Sequence, residues 1–260
     1  MRIALAALIF AGIMVFRRLR FPTGRALFGA LIIGVLDFAG GFALLYYALV
    51  SLPAGLAATL GAVLPLETLL LAVLWRQERL TGAAILGGLL AVAGIAAVSG
   101  VSVNGEIPLL SILAALAGSL CIAQGTVLVR LFPDVHPVTL NAVGTGIGAV
   151  LLIGLSVLAG EDHQLPVEPA TWIALGYAVL VGSVVVFLLV VHLIRTWGAS
   201  RASYLFVVSP LFAIGLSVWL DNEVFGWELV AGGALVILGV YLGALRSPVD
   251  RTDPATSIDG

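Results

Sequence analysis

Nine apolar stretches, over residues 1–16, 26–49, 54–75, 81–101, 108–129, 138–159, 170–194, 202–220 and 226–244, are joined by loops whose charges alternate in sign. Threading the stretches back and forth through a bilayer puts Arg17, Arg18, Arg20, Arg25, Arg76, Arg79, Arg130, Arg195, Arg201, Arg246 and Arg251 on one side. The other side receives Glu106, Glu161, Asp162, Glu168, Asp221 and Glu223, with Arg2 as its single arginine. Basic residues translocate poorly and mark the cytoplasmic face. The pattern therefore predicts a polytopic membrane protein with its C-terminus inside.

Composition agrees with that class. The chain is 61% hydrophobic and 10% charged, with a mean hydropathy of +1.18, far from the mix of a soluble domain. A helix needs about 20 apolar residues to cross the hydrocarbon core, and most of the stretches reach that length. Barrel strands would alternate polar and apolar residues, and these runs are continuous. Helices also satisfy their own backbone hydrogen bonds in lipid. The arginines sit in short loops without an aromatic platform, which argues against nucleic acid as a partner. Cys121 is the only cysteine, so neither an internal disulfide nor a thiolate metal site is expected.

The N-terminus reads as an uncleaved segment, because its strong charge, Arg17-Arg18-Leu19-Arg20, follows the apolar run instead of preceding it. The run from Ile3 to Phe16 reaches only about 21 Å as a helix. Its shortness and the misplaced Arg2 predict a further segment upstream.

Shifted by 145 positions, residues 54–94 meet 199–239 without a gap, and Pro65, Glu78, Gly87, Gly88 and Gly94 coincide with Pro210, Glu223, Gly232, Gly233 and Gly239. The charge pattern puts Glu78 inside and Glu223 outside, so the two copies are expected in opposite orientation, an architecture of secondary transporters. The stretches from Pro65 to Glu78 with Gly87 and Gly94, and from Pro210 to Glu223 with Gly232 and Gly239, resemble the two signature stretches of the EamA-type drug/metabolite transporters. That resemblance covers nearly the whole chain. It implies two inverted five-helix repeats and export of amino acids, metabolites or drugs. Here the repeats divide as four helices plus five: residues 1–101, then 108–245, with 246–260 as a polar cytoplasmic tail expected to lack order. The expectation is a truncated or mis-started chain.

Asp37 and Glu67 are the acids that fall well inside predicted spans, about 17 Å and 12 Å from their cytoplasmic ends. A charge there costs at least about 2.5–3.5 kcal/mol unless it is paired, protonated or facing water. Proton coupling, binding of a cationic substrate group, and a neutral hydrogen-bonded acid all answer that cost. Tyr46, Gln124, Tyr204 and Ser209 could line a pathway or bridge helices. Pro65 and Pro210 remove an amide donor each and predict helix interruptions. Glu78 and Glu223 precede helices expected to start near Thr81 and Gly226, where a carboxylate complements the helix dipole. Gly87, Gly88, Gly232 and Gly233 suit close helix packing. Gly144, Gly146 and Gly148 mimic a dinucleotide fingerprint but lie in a span with no preceding strand, so Gly144 and Gly148 read as a packing face.

The sequence thus predicts a transporter, not an enzyme, that moves a small-molecule substrate by alternating access in a prokaryotic plasma membrane. Its surroundings are membrane lipid, no cofactor is implied, and a homodimer is compatible. A passive facilitator is the nearer alternative; a membrane-embedded enzyme using Asp37 and Glu67 as an acid pair is the more distant one.

Overall fold

The computed structural model describes residues 1–98, 108–161, 167–209 and 227–245, and every regular element among them is helical. Five helical segments are long and apolar enough to cross a membrane: Gly24–Leu49, Leu56–Leu74, Leu109–Val129, Pro137–Leu158 and Pro169–Trp197. Arg2–Phe16, Gly82–Ala97 and Val230–Ala244 are shorter apolar helices. The chain is an all-α polytopic membrane protein. The predicted span 202–220 is described only as far as residue 209; Pro210, Glu223 and the tail 246–260 lie outside the described residues.

The α-helices are α1 (Arg2–Phe16), α2 (Gly24–Ile33), α3 (Gly41–Leu49), α4 (Ala54–Gly61), α5 (Leu64–Leu74), α6 (Gly82–Val98), α7 (Leu109–Val129), α8 (Pro137–Leu158), α9 (Pro169–Val179), α10 (Val186–Trp197), α11 (Ala199–Ser203) and α12 (Trp227–Val240). Three predicted spans turn from α- to π-helix, one of them over Tyr241–Leu245 directly after α12. A π segment, Gly34–Gly40, joins α2 to α3, and a second, Leu180–Val185, joins α9 to α10. Shifting the first by 145 gives 179–185, so both widened turns fall at the same repeat position. In the second, Ser183 Oγ donates to the Ala178 carbonyl five residues back, 3.2 Å away. The predicted span 54–75 is divided as well. Pro65 stands in the first turn of α5, and Ala62 and Val63 fall between α4 and α5, as a proline that cannot donate its amide requires.

Glycine decides how closely the helices approach. A Cβ on Gly87 would stand 2.6 Å from the Gly239 carbonyl oxygen, and one on Gly94 would stand 2.7 Å from that of Gly232. Gly87 and Gly94 become Gly232 and Gly239 under the 145-residue shift, so the shift exchanges the two contacts. Ala91 and Val236, themselves a shifted pair, are fully buried at this α6–α12 crossing. Between helices in lipid, such close van der Waals packing supplies the association that the hydrophobic effect supplies in water. Gly88 faces Leu66 of α5 instead. Nothing among the described residues lies within 4 Å of a Cβ built on Gly233; Leu211, the counterpart of Leu66, is outside them. Gly144 and Gly148 pack against Phe38, as a small-residue face predicts.

The contacts of the outer helices follow the same exchange: α8 packs on the first π segment, and α1 on the second. Centrally, α7 carries Ser111, Ala115, Gly118, Ser119 and Gly125 buried, and packs on α3, α5 and the first π segment. By contrast, the Pro169–Trp197 helix leaves Ile173, Tyr177, Leu180 and Val185 exposed, a surface suited to lipid.

Candidate functional site

The two intramembrane acids reach α7 from opposite neighbours. Asp37 lies in the first π segment, and its carboxylate occupies the space beside Gly125, where any Cβ would collide with Oδ1. Glu67 stands in the first turn of α5, two residues after Pro65, within hydrogen-bonding reach of Ser119. Cys121, between Ser119 and Gly125 on α7, faces the first π segment, its Sγ 3.4 Å from a Cβ built on Gly40. Asp37 Oδ1 and Glu67 Oε2 are each buried without a hydrogen-bond partner. Among the described residues neither acid forms an ion pair with an arginine or histidine. An unpaired carboxylate at this depth carries the full cost of leaving water unless it holds a proton or meets a cation. The arrangement can therefore take up and release a proton, or hold a positively charged group.

Aromatic rings line the neighbouring face of the same span. Phe38 stacks near Phe42 with centroids 6.4 Å apart, Phe42 lies 5.8 Å from Tyr46, and Phe187 of α10 approaches Phe38 at 5.0 Å. The Arg2 guanidinium sits over the Phe42 ring at 5.2 Å. Tyr46 is 47% exposed, whereas Tyr204 is 4% exposed and belongs to the α6–α12 core, its hydroxyl beside Gly243 and 3.5 Å from the Ala84 carbonyl. Gln124 accepts from the Trp75 indole at 3.4 Å, toward the far end of α5 from Glu67. Ser209 is exposed. Asn141 bridges helices, donating to the carbonyls of Pro137 and Phe187.

Glu78 does not serve the helix that follows it. Thr81 Oγ1 caps α6 by accepting from the Ala84 amide at 3.2 Å. Glu78 instead accepts from the Ser200 amide at 3.2 Å and from the Ser200 hydroxyl, and its Oε1 lies 3.7 Å from Arg130 Nη1. The carboxylate caps a helix after all, but one 122 residues away in the other half of the chain. Gly198, with φ +102° and ψ 163°, admits the approach: a Cβ there would be strained and 2.9 Å from Glu78 Oε1.

Sequence reasoning missed α7 as the shared wall. Its signal was the small-residue spacing Ser111, Ala115, Gly118 and Gly125, which marks a helix that others approach closely. Among the described residues no cluster of histidine, cysteine and acids is placed to hold a metal.

A family model described as "EamA-like transporter family" matches residues 1–100 and 109–244. The "Uncharacterized inner membrane transporter YedA" of Escherichia coli (strain K12) is 29% identical over 252 residues, covering 93% of this chain and 81% of that protein. The protein of the same name from Escherichia coli O157:H7 matches to the same extent. A solved structure titled "Crystal structure of protein" shares the fold with a TM-score of 0.79, covering 95% of this chain and 85% of its own at 18% identity.

Proposed function

The chain belongs to the EamA-like transporter family and is a membrane transporter, and from that premise we propose that it is a secondary exporter coupled to protons at Asp37 and Glu67. The observation that carries this reading is the convergence of two carboxylates on α7, each with a buried oxygen that has no partner. The carboxylates meet α7 at separate points, Asp37 beside Gly125 and Glu67 near Ser119, so each can take up a proton by itself. A proton bound in one orientation of the pathway is then released in the other. The two halves, residues 1–101 and 108–245, act as inverted repeats that rock about this site, and the matched π segments at their equivalent positions support that division. Widened turns of this kind recur at functional sites in helices. The substrate is a small amphipathic molecule such as a hydrophobic amino acid, its analogue or a drug, since the aromatic face beside the carboxylates offers stacking and few polar groups.

Reconstituted vesicles test the coupling. With an imposed pH gradient, one of a panel of radiolabelled hydrophobic amino acids or fluorescent amphipathic amines should accumulate against its gradient. Adding a protonophore should abolish the accumulation. Equilibration that ignores the pH gradient for every probe transported would replace coupling with passive facilitation.

Orientation is a separate proposal, resting on the arginine distribution: a prokaryotic plasma membrane protein with its C-terminus cytoplasmic. In a background with Cys121 replaced, cysteine at Glu161 should react with an impermeant thiol reagent in intact cells, while cysteine at Arg18 should react only after lysis. The reverse pattern would invert the assignment.

A further inference from the structure

The C-terminal end of α5 is shaped to send its polar residues across the molecule. Arg76 adopts a left-handed conformation, φ +56°, and the Gln77 amide returns to the Ala72 carbonyl at 2.8 Å. This closes the helix as a left-handed C-terminal turn does. Gln77 Nε2 then donates to the Val127 carbonyl of α7 at 3.1 Å, and Arg130 Nη1 reaches the Gln77 carbonyl at 3.4 Å. Beneath these bonds Ala72, Val127 and Ala199 meet as a small buried cluster where α5, α7 and α11 converge. Above them Glu78 holds both the amide and the hydroxyl of Ser200 and faces Arg130.

The arrangement has three properties of a gate. It joins the two halves of the chain through side chains, not through a covalent turn. It follows directly on α5, the 11-residue helix that carries Glu67 in its first turn, and the Glu78 amide returns to the Ala72 carbonyl of that helix at 3.3 Å. It is also one-sided in chemistry: the 145-residue shift turns Ser200 into Gly55, which has no hydroxyl. We propose that Glu78, Ser200 and Arg130 form a latch that closes the arginine-rich end of the pathway, and that its release opens the pathway to that side. This rests on the alternating-access reading above. A rocking motion of one half against the other must part Glu78 from Ser200, because they stand on opposite halves.

Cys121, the only cysteine in the chain, stands on α7 against Gly40 of the π segment that carries Asp37, and is the reporter. The full-length protein is reconstituted, and an impermeant maleimide is offered from each face of the vesicle in turn. Glu78→Gln keeps the size of the side chain but gives up its charge, and is expected to raise the labelling rate of Cys121 from the arginine-rich face by about tenfold, the size of a modest shift in a two-state equilibrium. Labelling from the other face should not rise. Ser200→Ala removes a single hydroxyl and should move the same rate in the same direction by less. Rates that stay at the wild-type level in both variants, including no labelling in any of them, overturn the latch. Should Glu78→Gln label faster from both faces, as a loosened fold would, Ser200→Ala decides: a one-sided gain supports the latch, and its absence overturns it. One-sided opening supports the latch whatever an Asp37 substitution does to proton-driven accumulation, so the two readings fail separately.

Discussion

Leucine at Gly94 should leave little folded protein in the membrane, and what remains should melt well below wild type. The cause is the α6–α12 crossing. A Cβ at Gly94 would lie 2.7 Å from both the Gly232 carbonyl oxygen and the Val236 amide nitrogen, and backbone atoms cannot rotate aside as a side chain can. The helices would have to part, which would also loosen Ala91, Ile95, Tyr204, Val207 and Val236, all buried in the same cluster. Overpacking typically costs about 1–3 kcal/mol, more where nothing can yield. Against a total stability of about 5–15 kcal/mol, that is a large share. Gly12 is exposed with nothing within 4 Å of its added Cβ among the described residues, so Gly12→Leu serves as the comparison. Thermal unfolding in detergent and the yield of monodisperse protein would check it. Equal melting of Gly94→Leu and Gly12→Leu would show that the crossing tolerates separation.

Replacing Asp37 by asparagine should abolish proton-driven accumulation while sparing exchange. The amide is nearly the same size as the carboxylate, so the fit against Gly125 survives. What is lost is ionisation. A pH difference of one unit is worth about 1.4 kcal/mol per proton, which drives about tenfold accumulation of a substrate exchanged for one proton. In Asp37→Asn vesicles that ratio should fall to about one, the value set by equal chemical potentials when no proton is exchanged. Exchange of labelled for unlabelled probe at equal concentrations should continue, because it needs no net proton movement. Glu67→Gln tests the partner acid in the same assay. If both variants accumulate probe as fully as wild type, the carboxylates are removed from the coupling step.

Much of the architecture was legible because membranes impose simple rules. Continuous apolar runs had to be helices, since a backbone in lipid must bond to itself. Pro65 had to disturb its span, and it falls where α4 gives way to α5. Gly87, Gly94, Gly232 and Gly239 stood out as a repeated set, yet their mutual contact could not be read, since spacing along a helix does not name its neighbour. The π segments left no signal in hydropathy; they insert one residue in a turn without altering its apolar character. Glu78 shows the limit most plainly. Its position before α6 suggested a local cap, but Thr81 fills that role and Glu78 crosses to Ser200. Local electrostatics favoured one helix terminus, and tertiary packing delivered another. Tyr204, whose hydroxyl suited either a pathway or a bridge between helices, is buried with Ala91 and Val236 at the α6–α12 crossing.

The exchanged glycine contacts at the α6–α12 crossing mean that this surface recognises its own copy turned upside down. Self-recognition of that kind needs no second gene: a half-length ancestor inserted in both senses would already carry the Gly87–Gly239 and Gly94–Gly232 contacts. In such an ancestor each substitution would strike the crossing twice, once on each face. Tandem fusion frees the two faces from that constraint, so each end of the molecule can acquire its own side chains. Ser200 opposite Gly55 is a divergence of this kind, and directionality in an otherwise two-way machine begins with such differences.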